Sequence, residues 1–345
     1  MTILLGLLRL GLGAAVLGVA GAAIAARLGP VVPLLDIFNH LQVVLIAGLL
    51  ALLVLVGLVF IGSSWQLPML AILTAGLLSS AYAVVPETLA AFAPRAPLPV
   101  DGRPVIKLMT ANLFGLNYDM ERVARAITAE NPDILALQEY FVEQRGPLDP
   151  MIRGTYPYSV HCVGGKRANI AIYSKLPFVQ TTDGDCTTDE SNTRRTAHIL
   201  VRFTLTDGST FSVLTTHLEW PLPPQRLRDQ LPTLLAAIRS APAPLLVVGD
   251  FNSTPWSHFQ QQLADDAGLT RQTHGLLTFP MRFWIAGWRD TLPFLPLDQV
   301  MSKGDIAIHD IHTGPTTGSD HLPIVVTFSI DRTASATPSA KAPSP

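Results

Sequence analysis

The chain is short of charge. Only 14% of its 345 residues are Asp, Glu, Lys or Arg, and the formal net charge is −2 with a pI near 6.5. Without a basic excess there is no broad positive surface, which argues against tight nucleic-acid binding and leaves only a local groove open. Cysteine is scarcer still, Cys162 and Cys186 being the whole supply. That excludes a disulfide scaffold and a cysteine-rich zinc cluster. Pairing of the two would need an oxidising compartment, and the alternative is two buried thiols. No internal repeat at solenoid periods is visible either.

Apolar residues are in excess. They make up 48% of the chain, and a mean hydropathy of +0.35 is too high for an ordinary soluble protein. The surplus lies before residue 90. Segments near 10–28, 41–61 and 67–85 each approach the ~20 residues that a helix needs to cross a bilayer core. The first, with Arg9 before it and alanines at its end, has the look of a secretion signal, but two more apolar segments follow, so it reads as a retained anchor. The third contains Pro68 and Ser79-Ser80, which a membrane helix tolerates. Residues 1–88 are therefore expected to form an anchor of about three helices in the cell membrane, and 89–103 a linker rich in Pro and Ala. Residues 104–331 are long enough for one α/β domain, and 332–345, mostly Ala, Ser, Pro and Thr, read as a disordered tail.

Sidedness is contested within the sequence. Arg27, Arg95, Arg103 and Lys107 would all be cytoplasmic by the positive-inside rule if the large domain faced inward. A Pro/Ala-rich stalk over 86–104 and the two cysteines suit an extracytoplasmic domain, which is the expectation adopted.

The most informative stretch is Pro244-Leu-Leu-Val-Val-Gly-Asp-Phe-Asn-Ser-Thr-Pro-Trp256. It reads as a buried strand that delivers Asp250 and Asn252 to its C-terminal edge. Taken alone, both could be turn or cap residues. The same pattern recurs along the domain. A strand over 105–114 ends at Asn112, and a helix over 118–130 with Val123 and Ile127 on one face leads to a strand ending at Glu139. A carboxylate after a buried strand needs a partner or a cation. Short strands are expected over 158–162 and 170–174. A hairpin across Asp207-Gly208 joins 196–205 to 210–218 and presents His217, which by itself could be structural. Helices are expected over 224–240 and 256–267. The aromatic stretch 279–296, which also carries Arg282 and Arg289, suits either core packing or a lipid- or base-contacting rim. Asp298 begins a strand, and Asp320 and His321 precede the last one, 324–330.

Asn112, Glu139, His217, Asp250, Asn252, Asp298, Asp320 and His321 thus stand at the ends of successive apolar strands. Oxygen donors without a cysteine cluster suit Mg²⁺ or Mn²⁺, and imidazoles beside carboxylates suit stabilising a phosphoryl oxygen.

In their order, TANL, LQE, TTHLE, GDFN, LDQV and GSDHLPI resemble the endonuclease/exonuclease/phosphatase superfamily with the deoxyribonuclease I-like fold. IAIYSKLP at 170–177 is similar to the family's middle-strand motif, with Asn169 where Gly is usual and Gln299 where an aromatic or His is common. The three spans resemble a membrane-anchored bacterial subgroup. The resemblance implies a four-layer α/β sandwich and a metal-dependent phosphoesterase acting on nucleic acid, a phospholipid head group or a small phosphodiester. By the same resemblance Glu139 is the main metal ligand, with Asn112 and Asp320 near the metal. Asp250 handles the attacking water, Asn252 holds it or a phosphate oxygen, His217 and His321 donate to the phosphate, and Asp298 buttresses His321. No protein partner is implied. The competing expectation is a membrane-tethered binding module that keeps the fold without catalysis, which predicts replacements among the eight residues.

Overall fold

The computed structural model describes residues 2–163, 167–180, 196–283, 288–289 and 291–331. Cys186, Arg167's neighbours 164–166 and the expected tail 332–345 lie outside them. The apolar N-terminal segments are helical: α1 (Thr2–Ala25), a short turn α2 (Ile37–His40), α3 (Gln42–Val59) and α4 (Gln66–Ala91). Three helices, Ile3–Leu28, Gln42–Val59 and Gln66–Ala91, are long and apolar enough to cross a membrane. Small residues let them approach closely, since a Cβ added to Gly76 would lie 3.0 Å from Leu49 and 3.1 Å from Ala20. Neighbours pair as Gly13 with Met69 and Ala20 with Gly76, so α1 and α4 run parallel. Hence the loop between α1 and α3 emerges on the same side as the end of α4.

The third helix continues six residues beyond the span expected from sequence. Pro86 sits inside it, where it removes one N–H from the ladder and its ring crowds the Tyr82 carbonyl, a cost that the hydrogen bonds of the neighbouring turns can offset. The stalk expected over 86–104 is correspondingly shorter and is held to the domain, with the Ala96 N–H bonded to the Ile308 carbonyl at 3.0 Å.

The domain begins with β1 (Ile106–Asn112), α5 (Met120–Glu130), β2 (Ile134–Gln138) and α6 (Val142–Ile152). Asp119 caps α5 by accepting the Arg122 N–H, and Asn131 ends it at a left-handed φ of 47° ahead of Pro132. Helix α6 was not expected from sequence, because Gly146, Pro147 and Pro150 mask its periodicity. There follow β3 (Tyr158–Cys162), β4 (Ile170–Ser174), β5 (Phe178–Gln180), β6 (His198–Thr204), β7 (Thr210–His217), α7 (Gln225–Ser240), β8 (Leu245–Asp250), α8 (His258–Ala267) and β9 (Thr270–Arg271). A small ribbon, β10 (Arg282–Phe283) with β11 (Trp288–Arg289), precedes β12 (Asp298–Lys303), β13 (Ile306–Thr313) and β14 (Ile324–Ile330). Strand β13 also goes unread in the sequence, since its exposed, charged face hides the alternation.

These strands form two six-stranded sheets, ordered β13-β14-β1-β2-β4-β3 and β5-β6-β7-β8-β12-β9. Period-2 alternation sends Leu108, Ile134, Ala136 and Ile172 of one sheet against Ile199, Val201, Val213, Val248 and Val300 of the other. The opposite faces are covered by α5 and α6 on Met109 and Leu137, and by α7 and α8 on Leu214 and Val247. The result is the four-layer α/β sandwich that the motifs imply. Its far end is closed by Phe203, Phe211 and Phe328, with ring centroids 4.9 and 5.4 Å apart. Truncating fully buried Phe328 to Ala would cost about 3–5 kcal/mol.

Candidate active site

Strand register gathers the site. In the second sheet His217 of β7 pairs with Asp250 of β8, and Asp250 with Asp298 of β12, so the three stand in one cross-strand row. In the first sheet Asn112 of parallel β1 faces Gln138 of β2, and Glu139 is the next residue. The close approach of β7 to β8 requires Gly249, whose φ is 139° and where an added Cβ would collide with the Thr216 carbonyl oxygen. Within two residues of the strand ends, Phe114, Glu139 and Asn252 adopt left-handed φ values of 61°, 52° and 47°, which turn the chain sharply there. Asn169, in the place of a usual Gly, also has a left-handed φ of 61°, which Asn tolerates better than most residues.

Asn112 joins the two sheets. Its Nδ2 donates to Asp250 Oδ2 at 2.9 Å and lies 3.2 Å from Glu139 Oε1, while its Oδ1 accepts the Phe114 N–H at 2.9 Å. As placed, its carboxamide bridges two carboxylates, and its oxygen is engaged by the backbone. Glu139 Oε2 accepts the Gly115 N–H at 2.7 Å. Asp250 Oδ1 accepts the Asn252 N–H at 2.8 Å, and its Oδ2 lies 3.4 Å from His217 Nε2 and 3.8 Å from His321 Nε2. Asn252 Nδ2 donates to the Leu218 carbonyl at 2.8 Å and sits 3.3 Å from His217 Nε2. His321 Nδ1 is 2.7 Å from Asp298 Oδ2.

Charges follow from this packing. For Asp250, burial works to raise the pKa, but the charges of His321 and His217 and the hydrogen bonds outweigh it, leaving the carboxyl well below the usual range. Burial would lower His321, yet Asp298 and then Asp250 lift it to about 10, so the ring is an imidazolium near neutrality. Asp298 is raised by burial and opposed by the same imidazolium. Asp320 is pushed up to about 6 by burial, against the effect of His321 and with that of Glu139.

All eight residues singled out in the sequence are thus near one cleft. Among the described residues three His and Asp side chains lie close enough together to hold a metal, Asp250, Asp298 and His321, whose ligand atoms are within 4.8 Å of one another. That differs from the expected trio of Asn112, Glu139 and Asp320. In the tight group both ring nitrogens of His321 already face carboxylates, which describes an ion-paired imidazolium. The donor set around Glu139 suits a hard divalent cation better. Glu139 and Asp250 lie 3.8 and 3.4 Å from the same His217 Nε2, both carboxylates act on the charge of Asp320, none of the three has an ion pair to Lys or Arg among the described residues, and the buried Asn252 Oδ1 has no hydrogen-bond partner.

Several supporting residues were missed by sequence reasoning. Ser319 Oγ donates to the Asn112 carbonyl at 2.8 Å and accepts the His321 N–H at 3.0 Å, tying the last loop to β1. Buried Gln138 donates to Thr215 Oγ1 across the sheets at 3.0 Å. Phe279, from the aromatic stretch, lies 4.8 Å from the His321 ring and 6.0 Å from Trp220, and Arg282 stacks over Phe114 at 5.7 Å. For Ser319 and Gln138 the available signal was their place beside motif residues, whereas Phe279 and Arg282 lie in the aromatic stretch that the sequence already singles out. Cys162 is buried at the end of β3, and its pairing with Cys186 falls outside the described residues.

The chain has relatives and structural counterparts among known proteins. A UPF0294 protein of Vibrio vulnificus is 30% identical over 135 residues, 37% of this chain and 43% of the relative. One from Vibrio cholerae is 30% identical over 131 residues, 38% and 44% of the two chains. The chain spans less than half the length of these relatives. Similar solved folds include an endonuclease/exonuclease/phosphatase of Beutenbergia cavernae, at TM-score 0.51 and 19% identity, covering 66% of this chain and 72% of that one. A family protein of Bacteroides thetaiotaomicron has TM-score 0.53 and 14% identity, covering 66% and 96%. A mannosyl-6-phosphatase of the same organism has TM-score 0.52 and 14% identity, covering 65% and 100%. Residues 109–321, a range that contains all eight candidate residues, match the Endonuclease/Exonuclease/phosphatase family, and the chain belongs to it.

Proposed function

We propose that the protein is a membrane-anchored phosphoesterase, dependent on a divalent metal, in which water attacks a phosphate ester in line with the leaving group. The observation that carries this reading is His321, held between Asp298 at 2.7 Å and Asp250 at 3.8 Å, with His217 3.4 Å from the same Asp250 oxygen. Two imidazoles and an ionised carboxylate converging on one point fit a phosphoryl group and its attacking water.

In this reading Glu139 is the principal metal ligand, with Asp320 and Asn112 beside it. Bound there, Mg²⁺ or Mn²⁺ would polarise a phosphoryl oxygen and neutralise its charge. Asp250, held as a weak base, orients water through Oδ2. Asn252 Nδ2 and His217 Nε2 hold the water or a phosphoryl oxygen. His321 donates from Nε2, and Asp298 keeps that ring protonated and aligned. The substrate class at this level is a phosphate ester: nucleic acid, phospholipid head group or small phosphodiester. None of the eight residues is replaced, which weighs against a silent binding module. The test is hydrolysis of bis-p-nitrophenyl phosphate by the full chain in lipid nanodiscs, with Mg²⁺ and with chelator, beside Asp250→Ala. Metal-dependent turnover abolished in the variant is expected. A folded protein inert on this diester, plasmid DNA and phospholipid alike would refute the reading.

A further inference from the structure

The anchor meets the catalytic domain at its active end. In the loop between α1 and α3, Asp36 accepts the His258 N–H at 2.8 Å and the Phe259 N–H at 3.4 Å, capping α8. His40 Nδ1 accepts the Thr254 N–H at 3.2 Å, two residues after Asn252. On the other flank Glu87, near the end of α4, pairs with Arg271 and His274. Arg271 Nη1 in turn reaches Gln299 Oε1 at 3.3 Å, next to Asp298. Both docking points therefore lie at the end of the second sheet that carries Asp250 and Asp298.

From Ala91 the chain runs back along the domain edge. Arg95 bonds the Gln272 carbonyl at 3.2 Å, Ala96 bonds Ile308, and the chain enters β1 at Ile106, the end of that strand remote from Asn112. The domain is thus mounted with its catalytic end toward the anchor and its point of entry away from it.

The rim on that side carries exposed apolar side chains beside polar ones such as Asp36, Arg228 and His258. Val31 and Leu34 of the anchor loop are 80% and 56% exposed, and Trp220 and Leu222, just past His217, are 42% and 46% exposed. Pro33 and Pro221 line one cavity between the two loops. Trp220 packs on Phe279, and Phe279 on His321, so the apolar strip reaches the site. Exposed Trp and aliphatic residues continuous with three apolar helices suit the boundary between lipid and water.

We propose that the site opens toward the bilayer surface and hydrolyses a phosphate ester carried by a membrane lipid, with Val31, Leu34, Trp220 and Leu222 seated in the interface. This rests on the phosphoesterase reading above. The water oxygen forms the new bond to phosphorus, the ester P–O bond breaks, and the leaving alcohol carries off one proton of the water. A soluble ester offers the same phosphate chemistry, so the test must separate the two sources. The full chain is placed in nanodiscs of phosphatidylethanolamine, phosphatidylglycerol and phosphatidic acid with Mg²⁺. Products are followed by phosphorus NMR while bis-p-nitrophenyl phosphate is assayed in the same discs. Lipid turnover should exceed diester turnover by about tenfold or more, since anchoring raises the effective substrate concentration. In a parallel arm, the emission assigned to Trp220 by difference from Trp220→Phe should be quenched by lipids brominated high on the acyl chains. Diester hydrolysis with all three lipids intact, or an unquenched Trp220, overturns the lipid inference and leaves the phosphoesterase reading standing. No hydrolysis of lipid or diester overturns the lipid inference, and if plasmid DNA is also left intact by the folded chain the phosphoesterase reading falls with it.

Discussion

Replacing Asp298 by Asn probes the ion pair on which the proposed chemistry depends. The change keeps side-chain volume and removes one negative charge 2.7 Å from His321 Nδ1. Both partners are almost completely buried, so water cannot compensate. Breaking a buried pair of this kind costs about 3–5 kcal/mol, which corresponds to a pKa change of about two to four pH units. The sign follows from the charge. His321 is lifted to about 10 mainly by Asp298, so loss of the anion lowers it, and the ring becomes neutral at a lower pH. In the wild type the imidazolium is retained through neutrality and lost as pH rises through about 10. In the variant the alkaline limb of kcat/KM for bis-p-nitrophenyl phosphate should move down by at least about two pH units. At neutral pH kcat should fall by about 10²–10³-fold with KM little changed, because the lost donor acts on the transition state. The assay is a pH–rate series on the nanodisc-embedded chain at saturating Mg²⁺, with circular dichroism confirming the fold. An unmoved alkaline limb together with a rate near wild type would refute the role given to the pair.

Three further outcomes are expected. Glu139→Gln should weaken Mg²⁺ binding by about 10²-fold or more, read by calorimetry and by the Mg²⁺ concentration at half-maximal rate; unchanged affinity would remove Glu139 from the metal site. Gly249→Ala should destabilise the domain by more than about 3 kcal/mol, seen as a lowered Tm or loss of folded protein, because the new Cβ meets the Thr216 carbonyl and φ is 139°. Burial holds His40 down at about 4, so its contact with Thr254 is fully present above the unfolded value of 6.5 and is lost as pH falls toward 4. Hydrogen exchange at Thr254 in the embedded chain should therefore accelerate across that window. Exchange that is flat between pH 6.5 and 4, after correction for intrinsic rates, would rule this out.

The sequence by itself determined the strand-end residues, the apolar spans and the family. Alternation and breaker residues are local, so Asp250 at the end of Leu245–Asp250 and His217 at the end of Thr210–His217 could be read one segment at a time. Where local signals conflict, the reading failed. Helix α6 is hidden by two prolines, and α4 runs through Pro86 because neighbouring turns and the Glu87 contacts hold it. Only the tertiary structure decided which residues meet. Register across β7, β8 and β12 aligns His217, Asp250 and Asp298, and Asn112 reaches Asp250 from 138 positions away. The bridging role of Asn112, the support from Ser319 and Gln138, and the seating of Asp36 and Glu87 beside the site are long-range contacts. Such contacts depend on how two sheets and a helical anchor pack in space, and no periodicity along the chain encodes that arrangement.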